Sequence, residues 1–227
     1  MFEFVDRAAG RTLVLISGWA FDSTIFSSLD LPYDYLLFSG DTIELFEQQL
    51  KKEVAARELD NISLFGWSQG AFAAAEFAAK YPRLVDEVTL VGARSQYEDQ
   101  AVDRVQRYLR KNAHLFLSKF YKECFSKYEQ AVYHRLRDSL LADYLKSISV
   151  EKLASQLDWL RNKRIVPTSL KDAARLTFVH GREDAIAPAA EVAELANRIP
   201  GAQLILFEKT GHIPFLRNDF SNRLYEK

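Results

Sequence analysis

Short apolar runs alternate with amphipathic stretches along most of the chain. The runs at 11–17, 34–39, 61–66, 86–92, 175–181 and 202–208 are rich in β-branched and aromatic residues, and most end in Ser or Gly. Near-continuous apolar strands separated by helices predict a mostly parallel sheet that is covered on both faces. The segment 2–6 is expected to add an antiparallel edge strand. Helical spacing of apolar residues predicts helices within 41–59, 71–82 and 188–201, the last two bounded by prolines.

Residues 94–170 interrupt this alternation. They contain no Gly and a single Pro, Pro167, and their apolar positions recur at helical spacing throughout. The pattern predicts an α/β core formed by residues 1–93 and 171–227, with residues 94–170 inserted as a helical cap. A chain of 227 residues, 48% of them hydrophobic, is long enough to bury the core of one such domain.

Composition narrows the classes of function. The net charge of −1 gives no general argument for binding nucleic acid, and no apolar run reaches the roughly 18–20 residues of a membrane span. The N-terminus lacks the basic start of a signal peptide. The single cysteine, Cys124, cannot form an internal disulfide or a cysteine-rich zinc site. We therefore expect a cytoplasmic, monomeric protein without a metal site or cofactor.

The candidate chemistry begins at Gly66-Trp67-Ser68-Gln69-Gly70, which matches the pattern G-x-S-x-G. The five residues follow an apolar strand and open an alanine-rich helix, the setting in which a nucleophilic serine is held on a strained turn. The N-terminus of that helix offers free N–H groups to a developing oxyanion. The alternative is an ordinary turn between a strand and a helix, with the serine as N-cap.

A serine needs a base to take its proton and an acid to orient that base. Asp184 and His212 follow the last two predicted parallel strands, in the order serine, acid, histidine. Glu183 is a weaker rival for the acid. The alternative roles are a cap of the next helix for Asp184 and an ordinary loop position for His212. The remaining histidines are interpreted as structural because none lies in a loop after the final strand: His114, His134 and His180.

A second oxyanion donor is expected from the loop after an early strand. Gly18 ends the run at 11–17, and the backbone N–H of Trp19 would then lie beside the N–H of Gln69. In the alternative interpretation Gly18 is a simple turn and Trp19 is a core aromatic residue.

These motifs resemble the α/β-hydrolase superfamily over essentially the whole chain. Within it, the segments SGWAFD (17–22), GWSQG (66–70) and GHIPF (211–215) look like the pimeloyl-acyl-carrier-protein methyl ester esterases of biotin synthesis. The resemblance implies an α/β-hydrolase fold and a serine carboxylesterase with Ser68, Asp184 and His212 as its triad and Trp19 and Gln69 as its oxyanion donors. Two positions depart from the family pattern: Ser17 replaces a frequent His, and Gln69 replaces a frequent Leu or Met.

Other functions are compatible with the same motifs. They are a small-molecule carboxylesterase, a thioesterase, a C–C bond hydrolase, and a noncatalytic ligand-binding protein of the same fold, because one scaffold hosts many chemistries.

The predicted cap is basic. Residues 94–164 carry 15 Lys and Arg against 9 Asp and Glu, a balance of +6. The resemblance implies an acidic acyl carrier protein as the partner, and six basic residues are candidates to bind it: Arg104, Arg107, Arg110, Lys111, Arg135 and Arg137. A merely solvated helical face is the alternative. Phe116 and Phe120 recur at helical spacing and either line an acyl channel or simply pack.

Overall fold

The computed structural model describes residues 1–39, 42–171 and 175–225. Asp41, the first residue of one predicted helix, lies outside this range, as do residues 172–174 and 226–227 of the predicted core.

A seven-stranded sheet forms the centre of the molecule, with strand order β1-β3-β2-β4-β5-β6-β7. β1 pairs antiparallel with β3, and every other neighbouring pair is parallel. All seven predicted strands are confirmed, including the antiparallel edge. Their bounds are β1 Phe2–Val5, β2 Thr12–Ile16, β3 Asp34–Phe38, β4 Ile62–Trp67, β5 Val85–Val91, β6 Arg175–Gly181 and β7 Gln203–Phe207.

Both faces of the sheet are buried, which explains the continuous apolar runs. On β2, Val14 and Ile16 belong to a core shared with the helices after β3, β4 and β6, whereas Leu13 and Leu15 belong to the core on the opposite face. Period-two alternation therefore places apolar residues against helices on both sides. The helices outside the β5–β6 connection are α1 Phe46–Ala56, α2 Gln69–Lys80, α8 Ala189–Asn197 and α9 Phe220–Tyr225.

Among the described residues between β5 and β6 there are five α-helices: α3 Asp99–Lys111, α4 Ala113–Glu123, α5 Gln130–Leu136, α6 Ala142–Lys146 and α7 Val150–Arg161. We call this connection, residues 94–170, the insertion. α5 continues through a π-helical turn, Arg137–Leu141, directly into α6. The helical pattern from Asp99 onward is broken at Asn112, which has an extended backbone and whose side chain caps α4 by accepting from the N–H of Leu115 at 3.0 Å.

Two predicted helices are shorter than their patterns. The segment 41–59 contains a 3₁₀ turn, Ile43–Leu45, followed by α1. α8 begins after Pro188 and ends three residues before Pro200, because the chain already turns at Arg198. Among the residues described here, no helix combines the length and the apolar character needed to cross a bilayer.

Candidate active site

Ser68 lies at a strained corner between β4 and α2. Its φ of 54° and ψ of −111° are unusual for a residue with a side chain. The backbone N–H of Ser68 donates to the carbonyl oxygen of Val91, at the end of β5, over 2.8 Å. The corner thus directs the serine to the carboxyl edge of the sheet, where sites of parallel-sheet folds are built.

The two glycines of the motif allow this corner to pack. A Cβ on Gly66 would lie 2.3 Å from the carbonyl oxygen of Gly70, and a Cβ on Gly70 would lie 2.3 Å from the carbonyl oxygen of Ile16. Real Cβ atoms do not approach backbone this closely, so any larger residue would force α2 away from β2 and β4. The G-x-S-x-G spacing is therefore required by the close approach of strand and helix.

The loop after β2 lies against the serine. A Cβ placed on Gly18 would be 3.2 Å from the Cβ of Ser68, which puts the backbone of Gly18 and Trp19 beside the corner. Ala20 has a positive φ of 63°, and its carbonyl oxygen accepts from the Tyr121 hydroxyl at 2.8 Å. Trp19 follows Gly18 and Gln69 follows Ser68, so the two residues predicted as oxyanion donors flank the contact of Gly18 with Ser68, and both are buried.

His212 and Asp184 form a buried pair. Nδ1 of His212 lies 2.7 Å from Oδ2 of Asp184. A carboxylate only accepts, so Nδ1 carries the proton and Nε2 keeps its lone pair. Within the described part of the chain, the buried Nε2 has no hydrogen-bond partner, and Ser68 is not yet bonded to it. Such bonds are often long in unliganded enzymes. Glu183, the rival acid, is exposed.

Asp184 is held as an anion. Burial alone would raise its pKa, but the electrostatic interaction with His212 and hydrogen bonds from His180 and His212 outweigh burial and hold the pKa well below its usual range. Oδ1 also accepts from the backbone N–H groups of Ile186 at 2.8 Å and Ala187 at 2.9 Å. The carboxylate thus has both of its oxygens engaged by donors, which fixes its orientation toward His212.

His180, which the sequence analysis interprets as structural, belongs to this network. Its Nε2 lies 3.2 Å from Oδ2 of Asp184 and 2.6 Å from the carbonyl oxygen of Ala187. Both partners are acceptors, so Nε2 carries the proton. His180 is fully buried and supports the acid from the end of β6. The sequence signal for this contact is the position of His180 at the end of a strand, four residues before Asp184.

The loop that carries His212 is held by the insertion. The N–H of His212 donates to the carbonyl oxygen of Cys124 at 2.8 Å, and the N–H of Gly211 donates to Oε2 of Glu129 at 2.7 Å. From the other side, the indole N–H of Trp67 donates to the carbonyl oxygen of His212 at 2.8 Å. Nothing in the sequence pattern indicated the roles of Cys124 and Glu129.

Tyr97, in the segment between β5 and α3, approaches the serine. Burial raises the pKa of its phenol to about 12, and a hydrogen bond with the Ser68 side chain acts in the opposite direction. Its ring lies 5.9 Å from the ring of Phe72 on α2 and faces the guanidinium of Arg94. Tyr97 is therefore a neutral neighbour of Ser68 at physiological pH.

A cavity of about 280 Å³ lies between the insertion and Gln69, the residue that follows Ser68. It is bounded by Gly18 and Gln69 on the core side and by Leu117 and Tyr121 of α4 and several residues of α7 on the other. Six residues with hydroxyl side chains are also among those that line it: Ser17, Ser23, Thr24, Tyr144, Ser147 and Ser149.

Phe116 and Phe120 are not among the residues that bound this cavity. Their rings pack on the indole of Trp19, with centroids 6.3 and 5.2 Å away. The cavity wall is instead formed by Leu117 and Tyr121, the residues next to them on α4. The observed contacts are those of packing, and a channel lined by the two phenylalanines stays a prediction.

The basic residues predicted to bind a partner are exposed: Arg104, Arg107, Arg110, Lys111, Arg135 and Arg137. Arg137 pairs with Asp138 at 2.7 Å. The first four lie on α3, and no ion pair to them is found within residues 1–39, 42–171 and 175–225. By contrast, Arg161 on α7 pairs with Asp103 at 2.6 Å. Four exposed cations of the insertion therefore lie together on α3. His114 and His134 are exposed and away from the acid.

Comparison with known proteins agrees with this architecture. Two relatives named pimeloyl-[acyl-carrier protein] methyl ester esterase, from Nitrosomonas europaea and Legionella pneumophila, are 25% and 24% identical, each over 91% of this chain and 90% of the relative. An esterase structure from Thermogutta terrifontis superposes with a TM-score of 0.84 at 19% identity, covering 99% of this chain and 90% of that one. An esterase from Exiguobacterium antarcticum gives 0.81 at 18% identity, covering 98% and 92%.

The family comparison covers nearly the whole described chain. The alpha/beta hydrolase family matches residues 4–223, which include every strand but the first two residues of β1. The fold, the corner at Ser68 and the match over these residues lead to one conclusion: the chain belongs to the alpha/beta hydrolase family.

Proposed function

We propose that this protein is a serine carboxylic ester hydrolase with Ser68 as its nucleophile. The observation that carries the proposal is the buried His212, whose Nδ1 is bonded to Asp184 and whose Nε2 is unpaired among the described residues. A histidine oriented in this way can accept a proton at Nε2 and so act as a general base. The corner that holds Ser68 and the loop that holds His212 lie at the same edge of the sheet.

In the proposed reaction, Nε2 of His212 accepts the proton of Ser68 as the serine oxygen attacks the ester carbonyl carbon. The backbone N–H groups of Trp19 and Gln69, together with the N-terminus of α2, stabilise the negative oxygen that forms. His212 then donates its proton to the departing alkoxide, which leaves as the alcohol. Water, deprotonated by the same histidine, hydrolyses the acyl-enzyme and regenerates Ser68.

Asp184 stabilises the imidazolium that exists between these steps. Because the pKa of Asp184 is held below its usual range, the carboxylate remains ionised at every pH at which the histidine can act as a base. His180 and the two backbone N–H groups keep that carboxylate in place.

The proposed substrate is the methyl ester of a pimeloyl chain attached to acyl carrier protein. The names of the relatives support this substrate class. The exposed cations of α3 support an acidic partner, since a positive surface speeds encounter with an acidic protein in a salt-dependent way. The cavity beside Gly18 and Gln69 supplies room for the part of the ester next to the reacting carbonyl.

The nucleophile is tested by Ser68→Ala. We expect hydrolysis of short p-nitrophenyl esters and of pimeloyl-carrier-protein methyl ester to fall by at least about 10³-fold. The matched control is Ser63→Ala, which changes another buried serine on β4, away from the carboxyl edge, and is expected to leave activity within twofold. Ester hydrolysis that survives in Ser68→Ala would refute the mechanism.

The partner is tested by reversing three charges of α3, with Arg104, Arg107 and Arg110 each changed to Glu. We expect kcat/KM on the carrier-bound ester to fall by at least tenfold at low salt, with little change on a short ester. The control reverses three exposed cations of the core, Lys52, Arg83 and Arg198. Equal losses on both esters, or equal effects of the two triple variants, would favour a small-molecule esterase instead.

A further inference from the structure

The side chains of both proposed oxyanion donors reach the same helix of the insertion. The indole N–H of Trp19 donates to the carbonyl oxygen of Leu153 at 2.9 Å, and Nε2 of Gln69 donates to the carbonyl oxygen of Gln156 at 3.0 Å. Leu153 and Gln156 are three residues apart on α7, so their carbonyls lie on one face of the helix, one turn apart. Two hydrogen bonds thus join α7 to Trp19, in the loop after β2, and to Gln69, the residue that follows Ser68.

These bonds do not disrupt α7. Each carbonyl oxygen inside an α-helix accepts one intrahelical N–H and retains a second lone pair. The Trp19 and Gln69 side chains use that second position. Both residues are at least 94% buried, so the donors would lose hydrogen-bonding partners if α7 moved away. The side chain of a leucine or methionine at position 69 has no N–H to make such a bond, so the amide side chain of Gln69 has a physical role here.

α7 also forms a wall of the cavity next to the serine. Leu153 and Gln156, whose carbonyls accept the two bonds, both line this cavity together with Gly18 and Gln69. A substrate group that enters the cavity therefore contacts the helix that is bonded to both donors. The rest of α7 is joined to α3 inside the insertion, through Arg161 with Asp103 at 2.6 Å and Gln106 with Asp158 at 2.8 Å.

We propose that the side chains of Gln69 and Trp19 are positioning residues, which couple the placement of α7 to the alignment of the oxyanion donors. The catalytic N–H groups are in the backbone, and the side chains hold that backbone to α7. The inference rests on the proposed function, because it concerns the same oxyanion site. Such a coupling is reciprocal. If the observed position of α7 aligns the donors, then a group bound at the oxyanion site must stabilise that position of α7.

The test variant is Gln69→Leu, which keeps the backbone N–H and the approximate size and removes the donor. Its matched control is Gln106→Leu, because Nε2 of Gln106 also donates to α7, to the carbonyl oxygen of Ala154 at 3.3 Å and to Asp158, but from α3. On a short p-nitrophenyl ester we expect Gln69→Leu to lower kcat ~10-fold, the loss of about one net hydrogen bond, with KM within twofold. Gln106→Leu should change kcat by less than twofold.

The second readout does not depend on turnover. A fluorophosphonate forms a bond from the Ser68 oxygen to phosphorus as fluoride leaves, and places a phosphoryl oxygen at the oxyanion site. Hydrogen exchange of α7 amides, measured by mass spectrometry, should slow on labelling in the unmodified protein and in Gln106→Leu. In Gln69→Leu the slowing should be lost or reduced several-fold.

The outcomes separate the two proposals. Failure of the fluorophosphonate to label Ser68 would overturn the proposed function. Labelling of Ser68 without slower exchange in α7 would overturn the coupling alone. Equal losses of kcat in Gln69→Leu and Gln106→Leu would also overturn it, because they would reduce Gln69 to one of several residues that stabilise the insertion.

Discussion

Gly92, which directly follows β5, offers a direct test of how closely the histidine must be placed. Its φ is +56°, and a Cβ built on it would lie 2.8 Å from Cε1 and 3.0 Å from Nδ1 of His212. The residue is thus constrained by backbone conformation and by the imidazole ring together. The change Gly92→Ala perturbs both.

The expected magnitudes follow from these distances. Carbon atoms pack at about 3.5–4.0 Å, so the ring must move by roughly 0.7 Å or more. Such a shift would stretch the 2.7 Å bond between Nδ1 and Asp184 beyond the usual range of hydrogen bonds. Misplacement of a catalytic group by about 1 Å costs on the order of 10²-fold in rate. The positive φ adds about 1 kcal/mol of destabilisation for alanine. We expect kcat to fall about 30- to 100-fold.

The control is Gly201→Ala. Gly201 has a φ of +79°, and no heavy atom lies within 4 Å of a Cβ placed there. Urea unfolding should show a loss of about 1 kcal/mol for Gly201→Ala and at least as much for Gly92→Ala. In the ester assay, only Gly92→Ala should lose activity. Unchanged kcat in Gly92→Ala, or an equal loss of kcat in Gly201→Ala, would refute the reasoning.

Substitutions of three other side chains are expected to change stability or kcat. Asp34 accepts backbone N–H groups from Arg7, Ala9 and Gly10, which lower its pKa below the ordinary 3.8. Its carboxylate therefore stabilises the fold above that pKa, and this stability is lost as pH falls. In urea unfolding at pH 7, Asp34→Asn should lower the free energy of unfolding by about 1–3 kcal/mol relative to the wild type, and by less near pH 3. An equal loss at both pH values would contradict this role of the carboxylate. His180→Phe should lower kcat ~10-fold at unchanged KM, because Asp184 loses a donor; wild-type kinetics would contradict that role. Glu129→Ala should lower kcat, because the N–H of Gly211 loses its acceptor. Glu129→Gln keeps an acceptor oxygen and should retain most of the wild-type kcat. The control Glu123→Ala, on the exposed surface of α4, should leave kcat unchanged.

The sequence sufficed for the sheet because both of its faces are buried. Runs such as TLVLI and ISLFGW have few alternatives to a covered parallel strand. The positions of Ser68, Asp184 and His212 could be predicted for a related reason. Each follows a strand, and parallel strands deliver their carboxyl ends to the same edge. His212 pairs with Asp184, and Glu183 is exposed.

The residues that sequence reasoning missed act through contacts between distant parts of the chain. Gln69 and Gln156 are 87 positions apart, and Gly211 and Glu129 are 82 apart. No local pattern encodes which carbonyl of α7 will lie above the serine corner. The same reason explains Phe116 and Phe120, whose helical spacing could not indicate Trp19, the neighbour against which these partly buried rings pack.

The bonds from Cys124 and Glu129 to the His212 loop have a consequence for exchanging segments between related enzymes. A graft that replaced the whole of residues 94–170 with a foreign specificity element would also remove the backbone acceptor and the carboxylate that hold the histidine loop. The chimera would retain its strands and its serine and still lack a correctly placed base. Transplants that leave 124–129 in the recipient and exchange only the neighbouring helices are the ones in which substrate preference can change independently of turnover.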